Sequence, residues 1–352
     1  MSARLSGGER VLVRAPSWLG DFVAAEPAIR ALVQHQASGG SVSIAAPARL
    51  LSLLDGRFPD LRRLPEGDAS WHGHDVAVLL NGSFASAWRA LRSRIGVRLG
   101  LARGGRSALL THACVPARER GLTPIGIGRA GRGARFLPRP FGAVCAELFG
   151  WLGVAVSERE PRMLVSDRAR ARAEARLAAA GLEPGEPFIL ANAGARPGSA
   201  KGIPPGTFAA ALDEIARLRS LPVVVACAPG EEACARETSA RVVLARAILL
   251  DDPPPELFEL AALSACARLA VGPDNGARHL AQAVGTPCVA LCGPTDRRHT
   301  AEHPATTRFL SVEVPCGPCH LETCPLAGDL RHACMHRIEP ARVAAAAAEL
   351  LG

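Results

Sequence analysis

Short apolar runs alternate with longer, helix-like stretches along this chain, and the alternation occurs once in each half. In the first half, the runs predict strands at 11–15, 42–46 and 75–80, separated by helical stretches such as 21–35. In the second half, strands are predicted at 188–191, 221–226, 249–250, 269–271 and 288–292, with helices near 206–219, 256–265 and 276–284. Strands that alternate with helices are typical of a parallel sheet. The pattern therefore predicts an α/β protein with two Rossmann-like, doubly wound domains.

The length of 352 residues agrees with two domains, because one compact core of that size is unusual. The domain boundaries that we expect are 1–165, 185–335 and a C-terminal helix at 336–352. This last helix is so rich in alanine that we expect it to pack closely against another element. Ligands of doubly wound sheets bind beyond the carboxyl ends of the strands. We therefore expect an interdomain cleft that holds the ligand.

The net charge of +8 indicates anionic partners, which could be nucleic acid, a phosphorylated small molecule or an anionic membrane surface. Aromatic residues are scarce and tyrosine is absent, which argues against a stacking platform for single-stranded nucleic acid. Neither a secretory signal nor a membrane span is predicted, since the opening residues are polar and no apolar run is long enough. We expect a cytoplasmic protein whose cysteines are mostly reduced and buried as small apolar side chains.

Lys201 is the only lysine among the 41 lysine and arginine residues of the chain. Lys201 ends the small-residue loop Asn192-Ala-Gly-Ala-Arg-Pro-Gly-Ser-Ala-Lys201, which directly follows a predicted strand. Glycine-rich loops after strands are common anion sites, and an ammonium group is a compact charge that suits phosphate. Two readings stay open here, a phosphate ligand and an ordinary solvated lysine.

Two further loops follow predicted strands. Ala15-Pro-Ser-Trp-Leu-Gly-Asp21 opens the first helix, and its aspartate is either functional or an N-cap. Asp274-Asn-Gly276 precedes a helix, so the backbone N–H groups at 275–278 would face a bound anion. Aspartate and asparagine are also ordinary turn residues, which is the alternative for the second loop.

Two arginine-rich segments carry much of the positive charge. We interpret 118–139 as a mobile basic loop, which is either a functional lid or a solvated excursion. A second group follows the third predicted strand without balancing acidic residues: Arg89, Arg92, Arg94, Arg98, Arg103 and Arg106. This group suits phosphates, carboxylates and an anionic membrane surface, although solvated arginines are an equally open reading.

Four motifs follow one another along the chain. They are Arg14-Ala-Pro-Ser-Trp-Leu-Gly-Asp21, Asn192-Ala-Gly-Ala-Arg-Pro-Gly-Ser-Ala-Lys201, Val271-Gly-Pro-Asp-Asn-Gly-Ala-Arg-His279 and Val289-Ala-Leu-Cys-Gly-Pro-Thr-Asp296. Together they resemble the motifs of glycosyltransferase family 9, which includes the heptosyltransferases of the lipopolysaccharide core. The likeness spans nearly the whole chain. It implies a GT-B fold in which the first domain binds the acceptor and the second binds the nucleotide-sugar donor.

The resemblance also implies an inverting, metal-independent transfer of heptose from ADP-L-glycero-D-manno-heptose to an inner-core lipopolysaccharide acceptor. No cofactor and no metal ligand are expected. The implied partners are the ADP-heptose donor, a lipid-linked anionic saccharide acceptor and the inner membrane, which the protein contacts peripherally at its cytoplasmic face. Nucleic acid is not an expected partner.

By the same resemblance, Asp21 is the general base and Lys201 stabilises the leaving diphosphate, together with the amides of Asn275 and Gly276. Asp274 should contact hydroxyls of the donor sugar, and Glu231 should reach the ribose. The implied donor-binding set is Asn192, Gly194, Arg196, Glu231, Asp274, Asn275, Gly276 and His279. The implied acceptor-binding set is Ser17, Trp18, Gly20, Arg98 and Arg106.

Two positions depart from the family pattern. Gly202 and Ile203 follow the lysine where an arginine and a tryptophan are usual, and Asn275 stands where serine is usual. Two alternatives stay open, namely a family 9 transferase with a different heptose or sugar acceptor, and a non-catalytic sugar-nucleotide binding protein. The presence of Asp21 favours an enzyme. A dinucleotide dehydrogenase is disfavoured because no G-x-G-x-x-G motif follows the first predicted strand.

The tail contains four cysteines with the spacing Cys316-x2-Cys319-x4-Cys324-x9-Cys334. Only one C-x-x-C pair occurs, so the paired spacing of a zinc ribbon is missing. A structural zinc site stays an alternative, but the spacing favours reduced thiols, and disulfides are the least expected in the cytosol.

Overall fold

Two compact α/β units make up the protein. The computed structural model describes residues 4–58, 60–67, 71–121, 133–194, 198–300 and 305–352. The first unit comprises Met1–Glu119 with Arg135–Leu164, and the second comprises Val165–Gly352 with Arg120–Ala134.

A six-stranded sheet forms the centre of the first unit. Its strands are β1 (Arg10–Arg14), β2 (Ser41–Ala46), β3 (Arg62–Pro65), β4 (Val76–Leu79), β5 (Val97–Leu101) and β6 (His112–Cys114). The helices of the unit are α1 (Leu19–His35), α2 (Ala48–Leu51), α3 (Phe84–Arg92) and α4 (Phe141–Trp151). All neighbouring strands pair in parallel, in the order β3-β2-β1-β4-β5-β6.

The second unit repeats this arrangement. Its strands are β9 (Ile189–Asn192), β10 (Val223–Ala226), β11 (Ala247–Leu250), β12 (Leu269–Pro273), β13 (Cys288–Cys292) and β14 (Thr307–Ser311). Its helices are α5 (Asp167–Ala179), α6 (Pro205–Arg219), α7 (Glu232–Arg241), α8 (Leu257–Cys266), α9 (Gly276–Ala283), α10 (Ala333–His336) and α11 (Pro340–Leu351). The parallel order is β11-β10-β9-β12-β13-β14.

Both sheets therefore have the strand order 3-2-1-4-5-6 when the strands are counted within their own unit. The chain reverses its winding direction between the first and fourth strands, which are β1 and β4 in one sheet and β9 and β12 in the other. Ligands of doubly wound sheets bind at such switch points, beyond the carboxyl ends of the strands. The prediction of two parallel, doubly wound sheets is confirmed.

Apolar side chains bury both faces of the second sheet, which explains why its strands read as continuous apolar runs. On one face, Phe208 of α6 and Val343 of α11 pack against the strands. On the other face, Ala173 of α5 and Leu263 of α8 do so. The alanine-rich helix thus packs closely against α6, as predicted, because small side chains permit a close approach.

Several strands were not predicted, and most of them lie at or near a sheet edge. β3 and β14 are edge strands, and β6 is a three-residue edge strand. An edge strand is covered less completely, so its sequence need not be an unbroken apolar run. β5 was missed because Arg98 and Gly100 interrupt its apolar pattern.

The prediction of a loop over 118–139 was wrong in part. Two strands, β7 (Arg118–Gly121) and β8 (Gly133–Phe136), pair as a separate two-stranded sheet. The arginine-rich composition concealed these strands, because it lacks the apolar pattern from which strands are predicted. Backbone hydrogen bonds join the two strands whatever the charge of their side chains. The rest of the predicted mobile loop between these strands, residues 122–132, lies outside the described residues.

Among the described residues, no helix is both long and apolar enough to cross a membrane.

Candidate active site

The loop between β1 and α1 and the first turn of α1 contain four of the predicted residues of the first unit, at the switch point of its sheet: Ser17, Trp18, Gly20 and Asp21. Helix α1 begins at Leu19, and Trp18 occupies the N-cap position without a capping hydrogen bond from its side chain. Asp21 therefore lies in the first turn of the helix, and the N-cap alternative for Asp21 is wrong. A carboxylate in a first turn is stabilised by the helix dipole.

Arg14 stabilises this loop through hydrogen bonds from its buried side chain. It is buried, and its guanidinium donates hydrogen bonds to the carbonyl oxygen of Ala15, to Ser17 Oγ at 3.0 Å and to the Glu66 carboxylate. Burial lowers the pKa of Arg14, while the charge of Glu66 opposes this shift. Ser17 is thus held from inside the protein, whereas Trp18 is 65% exposed and available to a ligand.

The predicted arginine group divides into buried and exposed members. Arg106 has no exposed surface, and it donates to the carbonyl oxygens of Leu101 at 3.0 Å and Leu79 at 3.2 Å. Burial, helped by the charge of Arg103, lowers the pKa of Arg106 to about 10. The prediction that Arg106 binds the acceptor is therefore wrong, because its hydrogen-bonding groups face the protein interior.

Arg98 is partly buried, and it also bonds to the backbone. Its Nε donates to the carbonyl oxygen of Leu109 at 2.7 Å, and Nη1 donates to that of Ile95 at 2.6 Å. Arg89 stacks over the ring of Trp71 at 4.7 Å. By contrast, Arg92, Arg94 and Arg103 are the exposed members of the predicted arginine group. An acceptor role for Arg98 stays a prediction.

In the second unit, Lys201 reaches the switch point between β9 and β12. Its Nζ donates a hydrogen bond of 2.7 Å to the main-chain carbonyl oxygen of Asp274. Beside it, Asn192 Nδ2 lies 3.5 Å from Asn275 Oδ1. The structure thus brings together residues that are more than seventy positions apart in the sequence. Arg196 lies outside the described residues.

Gly194 and Glu231 meet in the same region. A Cβ atom on Gly194 would lie 1.6 Å from Glu231 Oε2, so a larger residue here would displace the Glu231 carboxylate from its present position. Glu231 Oε2 also accepts a hydrogen bond of 3.1 Å from the backbone N–H of Ala228. The carboxylate of Glu231 therefore lies against the loop that carries Lys201. A contact of Glu231 with the ribose stays a prediction.

Asp274 is held by side chains on both of its carboxylate oxygens. It is buried, and its Oδ1 accepts from Arg278 Nη2 at 2.6 Å and from Arg278 Nε at 3.2 Å. Its Oδ2 accepts from Thr300 Oγ1 at 2.9 Å. Burial alone raises the pKa of Asp274, but Arg278, His279 and Lys201 outweigh this effect, and the net shift is downward. Both carboxylate oxygens are thus bonded inside the protein.

Asn275 caps helix α9. Its Oδ1 accepts from the backbone N–H groups of Ala277 at 3.0 Å and Arg278 at 3.3 Å. The expectation that the amides of 275–278 all face an anion is therefore wrong, because two of them are already bonded to the cap. The amide of Gly276, at the first helical position, belongs to neither of these cap bonds.

His279 lies next to the ion pair, and Arg278 Nη2 is 2.8 Å from its Nε2. Arg278 also donates to Gln282 Oε1 at 2.9 Å, and its guanidinium lies over the ring of Phe309 at 5.3 Å. His279 is therefore a neighbour of the buried network. A direct contact between His279 and a donor stays a prediction.

One motif thus lies at the carboxyl edge of the first sheet and the other three at the carboxyl edge of the second, and comparison with known families agrees with them. The family model described as glycosyltransferase family 9 (heptosyltransferase) matches residues 72–328. The chain belongs to glycosyltransferase family 9. It is also 33% identical over 129 residues to lipopolysaccharide heptosyltransferase 1 of Pseudomonas aeruginosa, a match that covers 33% of this chain and only 36% of that relative's length.

Two solved structures show that the chain has the GT-B fold of the family. ADP-heptose lipopolysaccharide heptosyltransferase II of E. coli superposes with a TM-score of 0.71 and 21% identity, and the alignment covers 97% of this chain and 98% of that chain. A family 9 glycosyltransferase from Veillonella parvula superposes with a TM-score of 0.77 and 16% identity, covering 100% and 99%. The GT-B fold implied by the motifs is confirmed.

The cysteine-bearing tail of this family 9 protein supports the loop of Lys201. Ser199 pairs with Thr323 in an isolated β-bridge, and the backbone N–H of Ala200 donates to the carbonyl oxygen of Glu322 at 2.8 Å. Behind this contact lies a cavity of about 20 Å³, with lining residues that include Cys316, Cys319, Cys324 and Cys334. The tail therefore stabilises the loop of Lys201 through backbone hydrogen bonds.

All eleven cysteines carry free thiols. In the tail, burial and the neighbouring thiols raise the pKa of Cys334 to about 12. Over the ranges that the structure describes, no group of three or more His, Cys, Asp or Glu side chains is arranged to hold a metal ion. In the second sheet, burial also raises the pKa values of Cys288 and Cys292 to about 12. They are buried, as predicted for small apolar side chains.

Sequence reasoning missed Arg278, Thr300 and Glu66 as parts of the site. A signal existed for Arg278, because it follows Asp274 by four positions, the spacing at which an acid and a base meet on one helix face. Neither Thr300 nor Glu66 had a comparable signal, since each reaches its partner from a distant loop.

We predict that Asp274→Ala lowers the free energy of unfolding by about 3–5 kcal/mol, because Arg278 is left as an unpaired buried charge. Chemical denaturation of the parent and the variant measures this difference. The matched control is Glu237→Ala, which removes an exposed i,i+4 pair with Arg241 of the same unit and should cost about 1 kcal/mol or less.

The same pair predicts a pH dependence. Because the pKa of Asp274 is lowered, its carboxylate contributes fully to the free energy of unfolding at any pH above the ordinary carboxyl pKa of 3.8. That contribution is lost as the pH falls through the lowered pKa. The stability difference between the parent and Asp274→Ala should therefore narrow only below about pH 4. A difference that already vanishes at neutral pH would contradict the ion-pair interpretation.

Proposed function

We propose that this protein is an inverting, metal-independent heptosyltransferase that moves heptose from ADP-L-glycero-D-manno-heptose to an inner-core lipopolysaccharide acceptor at the cytoplasmic face of the inner membrane. Membership of glycosyltransferase family 9 supports the reaction class. The observation that carries the proposal is the position of Lys201, whose ammonium group lies at the switch point of the second sheet, 2.7 Å from the carbonyl oxygen of Asp274.

On the donor side, we propose that Lys201 and the N–H of Gly276 bind the diphosphate of ADP-heptose. When the bond between the anomeric carbon and the phosphate oxygen breaks, the electron pair leaves with ADP. A cation and a helix N-terminal amide placed at that oxygen stabilise the developing charge without a divalent ion. The close approach of Glu231 to Gly194 supports a ribose contact at the other end of the nucleotide.

Asp274 has a different role in this proposal from the one that its motif suggests. Because Arg278 and Thr300 occupy both of its carboxylate oxygens, Asp274 positions the turn between β12 and α9. The Asp274 carbonyl holds Lys201, and the cap of Asn275 fixes the start of α9. A direct contact of Asp274 with the heptose would use the second acceptor site of Oδ2, beside the bond from Thr300.

On the acceptor side, we propose that Asp21 takes the proton of the attacking hydroxyl. The hydroxyl oxygen forms the new bond to the anomeric carbon on the face opposite to ADP, so the configuration inverts and one base suffices. Trp18, which is largely exposed beside Asp21, and the polar groups of Ser17 and Gly20 would hold the acceptor sugar. Arg98 and the exposed Arg103 would bind its anionic groups.

The proposal is tested by supplying ADP-heptose with inner-core acceptors and with unrelated sugar acceptors. Product analysis by NMR reports the anomeric configuration, and calorimetric titration with ADP, UDP and GDP reports the preferred nucleotide. If the protein transfers heptose only to an unrelated sugar acceptor, the proposed reaction stands and the proposed inner-core acceptor is wrong. Binding of ADP without transfer to any acceptor would favour a non-catalytic sugar-nucleotide binding protein.

We predict that Asp21→Asn leaves ADP affinity nearly unchanged and lowers the transfer rate by about two to four decades, because the amide cannot accept the hydroxyl proton. Steady-state rates and calorimetry separate the two quantities. Asp167→Asn is the matched control, since Asp167 also lies in the first turn of a helix and stands outside the proposed site. An equal loss of thermal stability and activity in Asp21→Asn would indicate a structural role instead.

We predict that Lys201→Ala weakens ADP binding and also lowers kcat by about one to three decades, because the charge on the diphosphate grows as the glycosidic bond breaks. Lys201→Arg keeps the charge but replaces a compact head with a planar group. Partial activity of Lys201→Arg would mean that charge dominates, and near-complete loss would mean that geometry does. If both variants bind and turn over like the parent, Lys201 has no role at the diphosphate.

Metal independence predicts that EDTA leaves the transfer rate unchanged, since Lys201 and helix amides hold the leaving group. Rates before and after extensive dialysis against EDTA check this. An absolute requirement for added magnesium or manganese would remove this part of the proposal.

A further inference from the structure

Helix α3 exposes its largest apolar side chains. Phe84 is 52% exposed, Trp88 is 48% exposed and Leu91 is 36% exposed. Their spacing of four and three positions places them on one face of the helix. We call these three residues the α3 stripe. A contiguous group of large apolar side chains on a surface indicates a binding face.

The opposite face of α3 explains why the helix is stable with this orientation. Ser86, Ala87 and Ala90 are buried against the first sheet, and Ser83 caps the helix start through a hydrogen bond to the backbone N–H of Ser86. Small residues thus face the core while two aromatic rings face outward. This is the reverse of the usual pattern for a helix that only covers a sheet.

The charged residues of the segment that contains the α3 stripe are all basic. From Val76 to Arg118 the sequence contains no aspartate or glutamate. Arg92 ends the helix and is exposed, as are the nearby Arg94 and Arg103. Arg103 lies against Gly82 just before α3, whereas Arg92 and Arg94 lie at its other end, so arginines flank the stripe at both ends. At the edge of the sheet where α3 begins, the exposed Trp18 follows β1, the strand next to β4. Aromatic rings flanked by arginines form a surface that is complementary to anionic lipid headgroups above an apolar layer.

We propose that the α3 stripe docks the protein on an anionic lipid bilayer, with Phe84, Trp88 and Leu91 inserted at the boundary of headgroups and acyl chains and Arg92 and Arg94 among the phosphates. This docking surface would make the membrane contact of the proposed function. The docking proposal rests on the proposed function only for the identity of the membrane. A second copy fits this face poorly, because the arginines of segment 76–118 would lie opposite the same arginines of the other copy.

The test measures co-sedimentation of the full chain with vesicles of phosphatidylcholine containing about one third phosphatidylglycerol, and with vesicles of phosphatidylcholine alone. The parent should bind the anionic vesicles and bind the neutral ones much more weakly. Phe84→Ser combined with Trp88→Ser should weaken binding by roughly tenfold or more, because the inserted apolar area is lost. Added salt should weaken only the arginine contribution.

Two sets of variants keep the test specific. Trp151→Ser is the aromatic control, since Trp151 is 39% exposed at the end of α4, and it should bind vesicles like the parent. Arg92→Gln should weaken binding by roughly fivefold, whereas Arg92→Lys should not. Trp88→Phe should retain binding, which separates the loss of an apolar ring from a folding defect. Thermal unfolding confirms that each variant is folded.

Fluorescence provides an independent readout. In a variant with Trp18→Phe and Trp151→Phe, the remaining tryptophans are Trp88 and the buried Trp71. Anionic vesicles should shift the emission to shorter wavelengths, and brominated lipid should quench it. The proposal fails if folded stripe variants bind as the parent does, if vesicle charge has no effect, or if the stripe variants dissociate a dimer without changing lipid binding. None of these measurements needs donor or acceptor, so failure here leaves the proposed transfer untouched.

Discussion

The buried pair of Asp274 and Arg278 is the interaction on which the donor-side geometry depends. It lies where β12 ends and α9 begins, so it determines the path of the chain at the switch point. The carbonyl oxygen of Asp274 receives Lys201, and its carboxylate receives Thr300. One acidic residue therefore connects three loops, and removing it would leave a buried guanidinium without its counter-charge.

Arginine serves three purposes in this protein, and burial decides which one applies. Arg14, Arg106 and Arg278 are buried and bond to carbonyl or carboxylate oxygens, so they act as braces for loops. Arg89 lies over an aromatic ring. Arg92 is exposed and available to anionic partners. The high arginine content is thus partly structural, because a guanidinium can satisfy several carbonyl groups at once.

The two sheets have the same topology but carry different chemistry at their switch points. The first carries an acid in a helix first turn, beside an exposed tryptophan and above a buried arginine. The second carries a lysine, a capped helix start and a glycine that admits a carboxylate. This division suits a reaction in which one partner loses a proton and the other loses a charged leaving group.

The sequence by itself determined the fold class, the central strands, the family and helices α6, α8, α9 and α11 of the second unit, but not α7 or α10. Periodicity and motif order are local properties, and the buried strands read as apolar runs because both sheet faces are covered. Only the tertiary structure decided which arginines are accessible, because Arg106 and Arg92 look alike in sequence while their burial depends on distant carbonyl groups. It also decided that Asn275 caps two amides and that Thr300 reaches Asp274, since such contacts join residues that no local pattern relates.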